Sequence, residues 1–181
     1  MESQDGSFKK SSFWSNLFKD PTAKSDLENV LMSMPPFKKV GTKYIRLLLK
    51  LIHNRVYAAN EYIFYQGDPG IGLYIIIKGE VLITQTDRDG DRFELVRLGK
   101  GDFFGEVALL DEEFRSASAL AVKDSTLAVI FKPDLDDFIE EYPRQGILIL
   151  RGLSQMIATR LRNMNQDYFS LYNEQREKAG G

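Results

Sequence analysis

The 181-residue chain contains no cysteine and a single histidine, His53. The first absence excludes disulfides, thiolate nucleophiles and thiolate metal sites. The second excludes a metal centre built on several imidazoles, including the kind a cupin carries. No apolar run approaches the roughly 20 residues a membrane helix needs. The lysine pair near the N-terminus is not followed by the apolar core of a secretory signal. Lys and Arg number 24 against 26 Asp and Glu, a formal net charge of -2, so there is no bulk electrostatic case for nucleic acid. No carboxylate has a second partner at acid–base spacing. The expectation is a non-enzymatic, cytoplasmic protein with no transmembrane segment, no metal and no cofactor.

What is present divides into three parts: an N-terminal extension (1–25), a β-rich domain with N-terminal helices (26–143), and a helix with a tail (144–181). In the extension, Phe13, Trp14, Leu17 and Phe18 share one face at helical spacing, flanked by Lys9, Lys10 and Lys19. That face suits docking on the domain, or a membrane surface or partner. Residues 26–34 read as a helix capped by Asp26 and broken at Pro35-Pro36. Thr42 is placed to cap a second helix running to the polar turn at Asn54, with Ile45, Leu48, Leu49 and Ile52 as its apolar stripe.

From Arg55 to Phe131 the period changes. Short runs rich in Val, Ile, Tyr and Phe, such as LYIIIKG, EVLITQT and STLAVIF, alternate with Gly, Asp and Pro breaks. Asp89-Gly90 is a hairpin signal. Many short strands at this spacing mean a sandwich or barrel. EVALL interrupts them as one helical turn. Residues 134–141 then form a short helix stopped by Pro143, and a long helix runs from about Arg144 to Glu174. Ile147, Ser154, Leu161, Tyr168 and Leu150, Ile157, Met164, Leu171 make two heptad rows on it. The rows suit a homodimer seam; packing on the chain's own β-core is the other reading.

The stretch GDFFGEVALLDEEFRSAS, residues 101–118, places Glu106 and Arg115 on the flanks of that helical turn. A guanidinium fork suits two oxygens of a phosphate, and backbone N–H groups at the turn favour an anion. An ionised carboxylate only accepts, so Glu106 suits a hydroxyl such as a ribose 2′-OH. Together they describe a ribose joined closely to a phosphate, as in a cyclic 3′,5′-phosphate. An internal Glu106–Arg115 salt bridge is the plainer alternative.

The run from Gly101 to Leu110, followed by Arg115-Ser116-Ala117-Ser118, resembles the phosphate-binding cassette of cyclic nucleotide-binding domains. That superfamily includes the catabolite activator protein, the regulatory subunits of cyclic-AMP-dependent kinase and the cyclic nucleotide-gated channels. IFYQGD at 63–68 and LYIIIKGEV at 73–81 are similar to its early strands and glycine turns. The resemblance covers roughly residues 27–165. It implies a mainly β fold with flanking helices, a double-stranded antiparallel β-roll of jelly-roll type, followed by a long lid and dimer helix. It implies that Gly105 and Glu106 meet the ribose, and that Arg115, Ser116, Ala117 and Val107 hold the cyclic phosphate. By its match to the C-terminal helix, Met164 and Asn165 fall where adenine is contacted, with Arg160 one turn before. Two departures stand out: Phe114 replaces a proline common before the arginine, and the loop Asp111-Glu112-Glu113 is acidic and lacks the common glycine.

The resulting expectation is a non-enzymatic sensor of cyclic AMP, with cyclic GMP open as a ligand because Ser116 follows the arginine. It relays its ligand state through the C-terminal helix, with Leu109 and Leu110 repacking against Phe138 and Tyr142. A homodimer and a further protein partner are expected; a DNA-binding domain within this chain is not. The alternatives are a ligand-free β-roll that serves interaction or oligomerisation, and a regulatory fragment of a larger transcription factor or channel.

Overall fold

The switch from helical to alternating periodicity near residue 53 sets the architecture. The structure, a computed structural model, describes residues 21–110 and 114–179. Helices α1 (Pro21–Ser33) and α2 (Thr42–Leu48) precede eight strands. These are β1 (His53–Tyr57), β2 (Tyr62–Phe64), β3 (Gly72–Lys78), β4 (Val81–Thr86), β5 (Arg92–Leu98), β6 (Phe103–Phe104), β7 (Ser118–Ala121) and β8 (Ser125–Phe131). A 3-10 turn, Glu106–Leu109, lies between β6 and β7, and α3 (Lys132–Glu141) and α4 (Pro143–Ala179) follow β8. The strands form two antiparallel four-stranded sheets, ordered β1-β8-β3-β6 and β2-β7-β4-β5. The β-roll with flanking helices expected from the sequence is the fold of this chain.

Strands β3 and β8 explain why two apolar runs are almost unbroken. Side chains alternate across a strand, so a run apolar at every position is buried on both faces. Leu73 and Ile75 of β3, with Ala128 and Ile130 of β8, face a core shared with Leu31, Phe37, Ile45, Leu48, Leu135 and Ile149 of the helical segments. Tyr74 and Ile76, with Leu127 and Val129, face the opposite way into the roll beside Val81, Phe104 and Ala119. Strand β5 is an edge strand and is exposed along nearly its whole length. Asp87 closes the β4–β5 hairpin, its Oδ1 accepting from the N–H groups of Asp89 and Asp91.

Several boundaries differ from the sequence reading. Helix α1 starts at Pro21 rather than Asp26, since proline is tolerated in the first turn of a helix. Helix α2 stops at Leu48, and Gly41, not Thr42, is its cap. His53 and Asn54 belong to β1, where they pair with Val129 and Ala128 of β8. Pairing with a central strand outweighs the weak helical preference of that segment. The apolar stripe Ile45, Leu48, Leu49 and Ile52 is nonetheless fully buried. The aromatic segment Phe13–Phe18 and the loop Asp111–Glu113 lie outside the described residues.

Helix α4 has two apolar faces. Ile149, Leu153 and Met156 are buried on the domain. Gly152 lets the helix touch the Pro35-Pro36 corner, since a Cβ there would lie 2.4 Å from the Pro35 carbonyl oxygen. The heptad rows point elsewhere: Ile147, Leu150, Leu161, Met164 and Tyr168 are exposed, and Ile157 is half-buried. The face that packs on the β-core is therefore a different stripe from the heptad rows. The side chain of Leu171 lies outside the described set.

Candidate functional site

The cassette crosses from one sheet to the other. Strand β6 pairs with β3 through Tyr74↔Phe104 and Ile75↔Phe103. The chain then bends at Gly105, whose φ of 78° is left-handed. A Cβ at Gly105 would lie 2.8 Å from Arg115 Nη1 and 2.9 Å from the Gly72 carbonyl oxygen. Glycine here provides both the bend and the space for the arginine. The 3-10 turn follows at once and buries Glu106, which is 2 % exposed.

Arg115 lies where the chain enters the second sheet and is 7 % exposed. Its backbone is fixed to the β2–β3 turn: Arg115 N–H donates to the Asp68 carbonyl at 2.8 Å, and Gly67 N–H donates to the Arg115 carbonyl at 2.8 Å. Its guanidinium donates from Nη1 to the Gly105 carbonyl at 3.2 Å and from Nη2 to the Gly72 carbonyl at 3.1 Å. The Nε–H is buried and, among the described residues, has no hydrogen-bond partner. Burial lowers the Arg115 pKa from its ordinary value, opposed by Tyr74 and Glu106. An arginine starts so high that it stays charged at neutral pH. Burial likewise raises the Tyr74 phenol, which Arg115 opposes.

The internal Glu106–Arg115 salt bridge considered from sequence is not formed. Arg115 is turned toward two backbone carbonyls, and Glu106 is paired instead with Arg160 of α4 through Oε1 and Nη1. Arg160 also passes 5.8 Å from the Phe103 ring centroid and is half exposed. Of the three helix positions matched to base contact, Arg160 alone is joined to the cassette by a described contact. Met164 and Asn165 are exposed farther along α4. Ser116 and Val107 are exposed and Ala117 is half-buried. Leu109 joins the core cluster that contains Phe138, with Tyr142 packed against it. Leu110, expected to share that role, is exposed. A 3-10 turn of four residues directs only one side chain of this adjacent pair into the core.

Residues that sequence reasoning missed are aromatic. Phe64, Tyr74 and Phe104 form a cluster with centroid separations of 5.3 to 5.9 Å. Arg115 lies on it, with Cζ 4.1 Å from the Phe64 centroid and 5.5 Å from that of Tyr74. Nothing in the linear spacing of residues 64, 74, 104 and 115 brings them together; the pairing of the two sheets does.

A family model for the cyclic nucleotide-binding domain matches residues 54–142, the span that contains this buried carboxylate and arginine. The chain belongs to the cyclic nucleotide-binding domain superfamily. This cyclic nucleotide-binding domain is 38% identical over 128 residues to the cyclic AMP receptor protein of Thermus thermophilus, covering 71% of this chain and 57% of that protein. Its fold is similar to the Thermus thermophilus catabolite activator protein crystal structure, with a TM-score of 0.67 and 36% identity, covering 76% of this chain and 62% of that one. It is also similar to the cAMP-bound structure of PfPKA-R, with a TM-score of 0.59 and 26% identity, covering 68% of this chain and 46% of that one. The chain thus spans less than two thirds of each of these relatives. Among the described residues, no helix is long and apolar enough to cross a membrane, and no cluster of His, Cys, Asp and Glu is arranged to hold a metal ion.

Proposed function

We propose that this domain is a non-enzymatic sensor that binds a cyclic nucleotide, cyclic AMP first, and passes its bound state on through α4. The observation that carries the reading is Arg115. A buried guanidinium with an unpartnered Nε–H is costly unless an acceptor arrives, and a phosphate is the acceptor its fork fits. Arg115, Ser116 and the backbone at Ala117 and Val107 hold the cyclic phosphate. Glu106, beside Gly105, accepts the ribose 2′-OH, since a carboxylate buried near a phosphate is useful only toward a hydroxyl. The cAMP-bound relative supports the choice of ligand.

The relay follows from what touches both ligand groups and helix. Arg160 on α4 is paired with Glu106, so a ribose that engages Glu106 competes with or joins that pair. Leu109 links the same turn to the Phe138 and Tyr142 cluster at the α3–α4 junction. Any difference in ligand affinity between two α4 positions becomes a shift in their populations. Arg160, Met164 and Asn165 lie on the segment that meets the base, and the exposed heptad rows form a parallel homodimer. Signal output then goes to a partner protein, or to a further segment of a longer regulator.

The Glu106–Arg160 pair also favours a second reading, a ligand-free interaction module, because it satisfies the ribose acceptor from within the chain. Calorimetric titration with cyclic AMP and cyclic GMP separates the two. Saturable one-site binding of either nucleotide is expected. No heat and no thermal stabilisation with either would overturn the sensor and leave the module.

A further inference from the structure

We propose that Phe64 is a positioning residue for the anion site: its ring holds the Arg115 guanidinium in place without neutralising its charge. The inference rests on Arg115 being the phosphate ligand. Among the described residues Arg115 is in no ion pair. Two carbonyl dipoles and two aromatic rings hold it instead, the Phe64 centroid lying nearer at 4.1 Å from Cζ and that of Tyr74 at 5.5 Å. A carboxylate in that place would bind the guanidinium more strongly but would cancel the charge that a phosphate needs. A ring quadrupole attracts a cation and leaves its charge available.

The local structure is shaped for this role. Phe64 ends β2, a strand of three residues whose pairing with β7 shifts register between Tyr62 and Phe64. Such an irregularity in a strand re-aims a side chain. Phe64 reaches across from the second sheet to Tyr74 and Phe104 of the first. The next few residues grip the arginine backbone: Gly67 and Asp68 exchange hydrogen bonds with Arg115, and Asp68 Oδ2 accepts from the Tyr65 N–H at 2.7 Å. Segment 64–68 therefore holds both the main chain and the side chain of one residue. A side chain present only to fill space would not need to lie 4.1 Å from a guanidinium while remaining half-buried itself.

The test compares wild type with Phe64→Leu, which keeps apolar bulk and removes the ring, and Phe64→Tyr, which keeps the ring. Cyclic AMP affinity is measured by calorimetry, and the Arg115 side-chain Nε–H is followed by proton–nitrogen NMR, assigned with Arg115→Lys. Phe64→Leu is expected to weaken binding by roughly 3- to 30-fold. It should also remove the upfield ring-current shift of the Nε–H in the ligand-free protein. Phe64→Tyr should retain both the affinity and the shift. If Phe64→Leu does not fold, Phe64→Met is measured in its place. Wild-type affinity in Phe64→Leu, or loss of affinity in Phe64→Tyr equal to that in Phe64→Leu, overturns the proposal. Failure of wild type to bind either cyclic nucleotide overturns the sensor reading itself, and this inference with it.

Discussion

The floor of the candidate pocket and its roof are built in opposite ways. The floor is Arg115, held at its backbone by Gly67 and Asp68 and at its side chain by Gly72, Gly105 and Phe64. All of these belong to the β-roll, so contacts within the roll alone place the arginine. The roof is α4, anchored in its first half by Ile149, Gly152, Leu153 and Met156. Beyond Met156, Arg160 is its described polar link to the cassette, and Leu161, Met164, Tyr168, Phe169 and Tyr172, which follow, are exposed. In the proposed sensor, ligand affinity belongs to the β-roll and the response to the lightly tethered half of α4.

The largest effect expected is at the floor. Arg115→Ala should lower cyclic nucleotide affinity by about 30- to several-thousand-fold, the roughly 2–5 kcal/mol typical of truncating one partner of a buried charge contact. Circular dichroism should show the fold intact. An unfolded variant would mean that the arginine is part of the core and not part of a binding site.

The next effect is at the anchor of the roof. Gly152→Ala forces a Cβ against the Pro35 carbonyl and should cost about 1–3 kcal/mol in chemical denaturation. Gly146→Ala should cost less, because its nearest neighbour is the Ile139 side chain, which can rotate away. Equal costs at the two positions would mean that the Pro35-Pro36 corner yields and that the anchor is soft.

Beyond the anchor the expected change is in assembly. Leu161→Glu combined with Met164→Glu should yield a monomer by sedimentation while leaving the melting of the β-roll almost unchanged, since both side chains are exposed in the single chain. A wild-type protein that is already monomeric at high concentration would remove the dimer from the proposal.

The smallest effect is at the tether. Arg160 is half exposed but its partner Glu106 is buried, so Arg160→Gln, whose amide can still donate to that carboxylate, should cost about 1 kcal/mol. Hydrogen exchange across residues 157–170 should quicken in the same variant. A loss of nucleotide affinity as large as that of Arg115→Ala would reverse the comparison and make the roof the principal binding element.

Much of the roll was legible because its signals are local. Alternation in LYIIIKG and STLAVIF, the Asp89-Gly90 hairpin and the proline at 143 each act over a few residues, and each lies where the chain pairs, turns or changes helix. The ends of the first two helices were less legible. Whether residues 49–54 continue a helix or begin a strand is decided by β8, more than seventy residues away. Strand β6 was missed for the same reason: two phenylalanines become a strand only because β3 lies beside them.

The cassette shows the same division. Glu106, Arg115 and the glycine between β6 and the turn could be picked out from residue type and spacing, because a carboxylate, a guanidinium and a flexible bend keep their chemistry wherever the chain places them. Their partners could not. Glu106 is paired with Arg160 and not with Arg115, and Arg115 rests on Phe64 and two carbonyls, because strand pairing and the crossing of α4 over Pro35 set those distances. The sequence by itself determined which groups are available and the strand and helix periods that carry them. Only the tertiary structure decided which groups meet, since contacts between residues tens of positions apart depend on how sheets and helices pack and not on local preference.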